Sequence, residues 1–166
     1  KILVDPDNPL HLLAFGGSHR QKSGQDRAVF NSTTRFGVIW ESTNNGTSWS
    51  VKSSTLKGNN ILNACYAANK TTIYMAMENK GILVSTNSGA TWTQRNNGIL
   101  SPEKIAFLAL HPTNSNILWA LHRDYGCYKS TDGGLNWSPF NYGAANGDGS
   151  DFHHIAVAKS NPNVLY

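Results

Sequence analysis

Ser42-Thr43-Asn44-Asn45-Gly46-Thr47-Ser48-Trp49 decides the fold of this chain, because the same pattern returns twice. Its copies are Ser85-Thr86-Asn87-Ser88-Gly89-Ala90-Thr91-Trp92 and Ser130-Thr131-Asp132-Gly133-Gly134-Leu135-Asn136-Trp137, which start 43 and 45 residues apart. All three read S-T-[N/D]-x-G-x-x-W. A repeat of about 40 to 45 residues is typical of a four-stranded propeller blade, whereas a helical repeat would show apolar stripes of period 3.6. The repeat therefore predicts an all-β propeller.

The rest of the unit repeats as well. A glycine and a short, mostly apolar run precede each box, at residues 37–41, 81–84 and 126–129. Further upstream, two apolar runs flank a polar turn, with copies at 1–14, 61–76, 105–120 and 154–166. Short β-rich runs bounded by Gly, Pro, Asn and Asp predict strands, here named A to D in each blade. The predicted blades are 1–53, 54–98, 99–145 and an incomplete 146–166.

The box is interpreted as a structural turn. Asn or Asp at its third position and Ser at its first can accept backbone N–H groups two residues on, and Gly at its fifth tolerates positive φ. The Trp then starts strand D, where it can cover the gap between neighbouring sheets. Two copies carry Asn instead of Asp, which argues against a metal site. The residues given this structural role are Ser42, Asn44, Gly46, Trp49, Ser85, Asn87, Gly89, Trp92, Ser130, Asp132, Gly134 and Trp137.

These motifs resemble a known repeat. The boxes are similar to the Asp-box, or bacterial neuraminidase repeat, and Asp132-Gly133-Gly134 with Trp137 matches it best. The upstream turn Asp5-Pro6-Asp7-Asn8-Pro9 resembles blades of xyloglucanases (glycoside hydrolase family 74), sortilin-type receptors and photosystem II stability factors. The resemblance implies the propeller fold. It leaves the activity open, because the box occurs in enzymes, receptors and assembly factors.

Composition narrows the classes of partner. The net charge is +4 with only 14% charged residues, and the basic residues are scattered, so we expect no nucleic-acid ligand. No apolar run approaches the roughly 20 residues of a membrane helix, so we expect no membrane insertion by this segment. Low charge with abundant Asn, Ser, Thr and Gly predicts an extracytoplasmic, secreted or lumenal protein.

The number of blades predicts further partners. Three boxes give three blades, and strands A and B of a fourth follow. Propellers usually close with about four to eight blades, so the remaining blades are expected from the same parent chain or from a partner chain. Cys65 and Cys127 lie in different blades and lack metal-ligand spacing; their pairing stays open. We predict no metal and no cofactor.

Strand order predicts which loops share a face. The A–B and box turns lie on one side, and the B–C loops and D–A connections lie on the other, where we expect a ligand. The B–C loop at 16–36 is the longest and is predicted to bind it through His19, Arg20, Arg27 and Arg35, unless the loop is a solvated insertion. A second predicted binding cluster is His122-Arg123-Asp124-Tyr125, for which the alternative is a tight turn with an Arg–Asp surface pair.

Two functions follow. The first is binding of a glycan or of a protein or peptide through the B–C and D–A face, without chemistry in this segment. The alternative is part of a xyloglucanase-like hydrolase, which needs two carboxylates across a cleft. By position alone its candidates are Asp26, Asp124, Asp148 and Asp151. Sialidase activity is not expected, because the R-I-P motif of sialidases does not occur in the sequence.

Overall fold

The computed structural model describes residues 1–16, 37–56, 59–140, 154–162 and 164–166. It contains twelve named strands: β1 (Ile2–Val4), β2 (Leu12–Phe15), β3 (Ile39–Ser42), β4 (Ser50–Ser53), β5 (Ile61–Tyr66), β6 (Ile73–Met77), β7 (Gly81–Ser85), β8 (Thr93–Gln94), β9 (Ile105–Leu110), β10 (Leu118–His122), β11 (Gly126–Ser130) and β12 (Ser138–Pro139). They form three four-stranded antiparallel sheets in chain order, β1–β4, β5–β8 and β9–β12. The predicted all-β, blade-by-blade architecture is confirmed.

A fourth pair of extended segments follows the third sheet. Val157 and Leu165 form an antiparallel bridge, and Ala156 and Tyr166 exchange two backbone hydrogen bonds of 2.9 Å each. Val164 N–H closes the intervening turn on Asn161 O at 2.9 Å. This hairpin is the predicted A–B half of a fourth blade. Among the described residues, no helix has the length and apolar character needed to cross a membrane.

The chain divides into two compact units, of which the first is Lys1–Ile61. Its sheet buries Leu13, Phe15 and Ile39 on one face. The A–B turn is held by Asp5, whose Oδ1 accepts the N–H groups of Asp7 and Asn8 at 2.9 and 3.2 Å. Its Pro and Asn residues therefore stand in a turn that Asp5 caps with its own side chain.

A charged cluster ties this A–B turn to the sheet. The His11 ring lies between two carboxylates, with Nδ1 2.9 Å from Asp5 Oδ2 and Nε2 2.8 Å from Glu41 Oε1, while Lys52 Nζ donates to Glu41 at 2.8 Å. Burial alone would lower the pKa of His11, but the hydrogen bonds to Asp5 and Glu41 outweigh it and raise the pKa. The hydrogen bond from His11 lowers the pKa of Asp5. The cluster is thus most stable as a histidinium between two carboxylates.

The second unit, Leu62–Tyr166, has its core between the second and third sheets. The second sheet contributes Tyr74 together with small and β-branched residues to this core, and the third contributes Ala120 together with larger residues. The main members are Tyr74, Ala76, Ile82, Val84, Leu108, Leu118, Ala120, Tyr128 and Trp137. Strand residues that face one way alternate along each strand, so each sheet offers one complete face to this interface.

Candidate functional site

The three boxes adopt one turn, described here from the third. Ser130 Oγ accepts the N–H of Gly134 at 2.8 Å and donates to Asp132 Oδ1 at 2.8 Å. Asp132 Oδ1 in turn accepts the N–H of Asn136 at 2.9 Å. These side-chain oxygens therefore accept their shortest backbone hydrogen bonds from N–H groups four residues further along the chain, whereas the sequence predicted two residues. The loop folds these peptide groups inward over the serine. The same bonds, at 2.8 to 2.9 Å, occur at Ser42 with Asn44 and at Ser85 with Asn87.

The box tryptophan closes the turn. Its Nε1 donates to the carbonyl of the box glycine at 3.0 to 3.1 Å in all three copies, from Trp49 to Gly46, Trp92 to Gly89 and Trp137 to Gly134. The Ser, the Asn or Asp, and the Trp of the motif are thereby all hydrogen-bonded inside the turn. Among the described residues, no group of three His, Cys, Asp or Glu side chains is placed to hold a metal ion.

The third box also joins the second sheet to the third. Tyr74 Oη and Arg95 Nη1 both donate to Gly133 O, at 2.9 and 2.6 Å. Trp137 Nε1 donates a second bond to Arg95 O at 3.0 Å, and Trp137 N–H donates to Asn97 O at 2.9 Å. The third box, on one face of this unit, is therefore held by hydrogen bonds between the second and third sheets.

The opposite face carries the B–C turn between β10 and β11. His122, at its base, is 1% exposed. Its Nδ1 accepts the N–H groups of Asp124 and Tyr125 at 3.0 and 3.1 Å, so the ring proton is on Nε2, which donates to Ser101 O at 3.0 Å. His122 thus supports the turn from below and ties it to the D–A connection before β9. Its predicted contact with a ligand remains a prediction.

The exposed part of this turn is a mixed surface. Arg123 is exposed, and its N–H donates to Lys104 O at 3.2 Å. Lys104 Nζ forms an ion pair with Asp124 Oδ2, with both side chains about half exposed. The Tyr125 ring is 49% exposed and lies 4.7 Å, centroid to centroid, from the His122 ring. The turn therefore presents a cation, an ion pair and an aromatic ring on a backbone held at two points.

The ion pair between Lys104 and Asp124 favours the charged form of both side chains. The hydrogen bond from Lys104 lowers the pKa of Asp124, and the same bond raises the pKa of Lys104. Asp124 accordingly stays ionised at neutral pH, where it can accept hydrogen bonds but cannot supply a proton. Lys104 was not among the predicted binding residues, although it lies within the D–A connection that strand order places on this face.

The other predicted site residues fall outside this description. His19, Arg20, Arg27, Arg35 and the candidate acid Asp26 lie in 17–36, and Asp148 and Asp151 lie in 141–153, both outside the described residues. The described part of the chain thus brings together Arg123, Asp124 and Tyr125 of the predicted set, with His122 beneath them.

Both cysteines are thiols in this structure. Cys65 Sγ donates to Asn63 Oδ1 at 3.9 Å, and Cys127 Sγ donates to Tyr128 O at 3.4 Å. Burial raises the pKa of Cys127 to about 12, so this thiol is a poor nucleophile and a poor metal ligand at neutral pH.

The sheets and box turns define the chain as a segment of an Asp-box β-propeller. The model of the Sortilin-Vps10 family, described as sortilin, neurotensin receptor 3, matches residues 37–161, about three quarters of the chain. The chain therefore belongs to the Sortilin-Vps10 family. No curated protein sequence matches it significantly.

Solved structures share the fold. The chain superposes on an ancestral GH74 enzyme with a TM-score of 0.69 and 23% identity, covering 97% of this chain and 22% of that one. For the GH74 xyloglucanase from Xanthomonas campestris the TM-score is 0.65 with 18% identity, covering 96% and 25%. For YCF48 bound to D1 peptide it is 0.57 with 13% identity, covering 83% and 38%. The chain thus spans well under half the length of each.

Proposed function

We propose that this chain is a ligand-binding segment of an extracytoplasmic propeller that binds a polypeptide through its B–C and D–A face and performs no chemistry there. The observation that carries the proposal is the turn Arg123–Tyr125 with Lys104. It combines exposed charges of both signs with an exposed aromatic ring, and it lies at the end of β10 and β11 opposite the box turn.

The composition of this surface suits a peptide. Tyrosine and arginine are enriched at the energetic centres of protein interfaces, because each offers a large contact area together with hydrogen bonds. Here Tyr125 has the buried His122 ring behind it, and the Arg123 backbone is tied to Lys104 O. A turn held in this way loses little conformational entropy on binding.

The state of Asp124 argues against acid catalysis at this turn. Its ion pair with Lys104 keeps the carboxylate charged, whereas a glycosidase acid needs a raised pKa. Family membership and the solved complex of YCF48 with D1 peptide support binding of a polypeptide. The low content of charged residues supports the extracytoplasmic location, which fractionation of cells producing the protein would test.

The experiment is a peptide-library screen on the full-length protein, followed by affinity measurements on the selected peptides. We expect Tyr125→Ala and Arg123→Ala each to weaken binding at least about fivefold, which corresponds to about 1 kcal/mol. Leu135→Ala is the matched control, because Leu135 is an exposed apolar residue in a box turn on the other face. Equal affinities for all three variants and the wild type would refute the proposed surface.

A glycan is the second candidate, and the exposed Tyr125 ring is the observation that favours it. Aromatic rings stack on sugar faces, and the GH74 structures share this fold. In that reading the segment contributes to a xyloglucanase-like hydrolase. Xyloglucan oligosaccharides should then bind the full-length protein and be cleaved, and Tyr125→Ala should weaken both. Peptide binding without oligosaccharide binding would exclude this candidate.

A further inference from the structure

The turn between β5 and β6 contains a sequence that can accept an asparagine-linked glycan. The acceptor pattern N-x-[S/T] starts at Asn31, Asn45, Asn69 and Asn136, of which Asn31 lies outside the described residues. Such a pattern marks a glycan site where the folded protein holds the asparagine at its surface. The three described copies differ in how their side-chain amides are used, and this difference separates them.

The copy Asn69-Lys70-Thr71 is exposed throughout, and the amide of Asn69 is only partly used. Its Oδ1 accepts the N–H groups of Thr71 and Thr72 at 3.2 and 3.0 Å. Among the described residues, its Nδ2 donates only to Thr72 Oγ1, at 2.9 Å. An amide nitrogen carries two hydrogens, so a sugar can replace one while the other keeps this bond. A glycan on Asn69 is therefore compatible with every hydrogen bond of the turn.

Neighbouring sheets leave the tip of such a turn open. Asn69 and Asn114 each stand four residues before the strand residue that pairs with the box serine of their sheet, so they are equivalent positions. Asn114 Oδ1 likewise accepts the N–H two residues on, from Asn116 at 3.0 Å. Asn114 is exposed although its sheet has the second sheet against one face and His154 against the other. We therefore expect Asn69 to stay accessible between neighbouring sheets.

The other two described copies are placed less favourably. Asn136 Nδ2 donates to Asp132 Oδ2 at 2.7 Å, and Asn136 Oδ1 accepts a hydrogen bond from Asn97 Nδ2 at 2.5 Å. This amide is thus held from two sides, by its own box and by the connection before β9. Asn45 is exposed, but Gly133, its counterpart in the third box, is buried against the second sheet. A glycan at either position would compete with contacts that the box makes.

We propose that Asn69 carries an asparagine-linked oligosaccharide in the folded protein. The inference rests on the proposed extracytoplasmic location, where an oligosaccharyltransferase and its lipid-pyrophosphate sugar donor act. In the transfer, Asn69 Nδ2 forms a bond to the anomeric carbon of the sugar and loses one proton, while the bond from that carbon to the pyrophosphate breaks and the lipid pyrophosphate leaves. Asn69 N–H donates to Ser115 Oγ at 2.8 Å, so the glycan stands beside the start of β10, at the other end from the turn at 122–125.

The test directs the full-length protein into the secretory pathway of eukaryotic cells and analyses the secreted material by mass spectrometry. Enzymatic removal of the glycans in heavy-oxygen water converts each formerly occupied asparagine to a labelled aspartate. We expect the label at Asn69 in most molecules and none at Asn136. An unlabelled Asn69, or equal labelling of Asn69 and Asn136, would overturn the proposal. Because the compartment is fixed and no ligand is added, this result is independent of the location and the peptide binding proposed above.

Hydroxyl variants provide an independent readout, the electrophoretic mobility of the secreted protein. Thr71→Ala removes the hydroxyl of the acceptor pattern but keeps Asn69, so the glycan should be lost, and Thr71→Ser should restore it. Ser138→Ala is the matched control, because it makes the same change in the copy that starts at Asn136 and should leave the mobility unchanged. Unchanged mobility of Thr71→Ala, or an equal shift for Ser138→Ala, would contradict the proposal.

Discussion

Replacing Asp132 by asparagine tests whether each box is matched to its own hydrogen-bond partners. Asp132 Oδ2 accepts the Nδ2 group of Asn136 at 2.7 Å. In the first box the polarity is reversed, since Asn44 Nδ2 donates to Ser48 Oγ at 2.8 Å. Asp132→Asn therefore brings two amide donors together. Rotating the Asn136 amide would relieve this, but its Oδ1 already accepts a hydrogen bond from Asn97 Nδ2.

The expected loss follows from these bonds. The backbone N–H and side chain of Asn136, with Ser130, lower the pKa of Asp132 from 3.8 to about 2. At 1.36 kcal/mol per pKa unit, that shift limits the stabilisation of the folded state by ionised Asp132 to at most ~2.4 kcal/mol. Solvent screens this surface carboxylate, and a hydrogen bond to a charged group is worth ~1.5 to 3 kcal/mol before such screening, so we expect Asp132→Asn to cost ~1 kcal/mol at pH 7.

Asp132 also makes the stability of the box depend on pH. The pKa of Asp132 is depressed in the folded state, so its contribution is complete above the unfolded value near 3.8 and disappears as the pH falls toward 2. The difference in stability between the wild type and Asp132→Asn should therefore be constant from pH 5 to 7 and shrink below about pH 4.

The assay is urea denaturation of four proteins: the wild type, Asp132→Asn, Asn136→Ser and the double variant Asp132→Asn/Asn136→Ser. The double variant recreates the Asn–Ser pair of the first box, so it should be more stable than the sum of the single losses by ~1 kcal/mol. The double variant still lacks the hydrogen bond from Asn97 Nδ2 to Asn136 Oδ1, so it should recover only part of the lost stability. Strict additivity, or a neutral Asp132→Asn, would refute the idea that each box is matched to its partners.

Three further predictions concern other parts of the chain. The histidinium of His11 loses its proton above pH 6.5, as the pH passes its raised pKa. His11→Gln should therefore cost more stability at pH 5.5 than at pH 9 in urea titrations. An equal cost at both pH values would contradict a charged His11 between the two carboxylates. Gly98→Ala should cost ~3 kcal/mol or more by denaturation midpoint, because φ is 89° and a Cβ would meet Trp137 O; a neutral effect would contradict this contact. Cys127 should resist iodoacetamide at pH 8 until the protein unfolds; rapid labelling of the native state would contradict its burial.

The fold was predictable because its information is local. Each box is closed by bonds among eight consecutive residues, as in Ser130 to Trp137, so the motif forms the same turn wherever it occurs. The alternation of apolar runs with polar turns then places the strands. The distance along the chain at which the acceptors are satisfied was not predicted, because it depends on how the loop backbone curls over the serine.

The candidate site was predictable only in part. Strand order predicts that the turn at 122–125 lies on the face opposite the box turns, yet the sequence alone does not separate the buried His122 from the exposed Tyr125. The buried ring of His122 is held by Ser101, which lies 21 residues away in the chain and whose carbonyl oxygen accepts a hydrogen bond from His122 Nε2. Lys104 was missed for the same reason, since its partner Asp124 is distant in sequence.

The sequence by itself determined the repeat, the blade and the identity of the turn residues, because these depend on contacts within a few positions. The tertiary structure alone decided which equivalent residues are buried. Trp49 and Trp137 occupy the same position in the same motif, but Trp137 is covered by Arg95 and its neighbours from the preceding sheet, whereas Trp49 is partly exposed. Burial is a property of what packs against a residue, and that is set by sheets more than 40 residues apart in the chain.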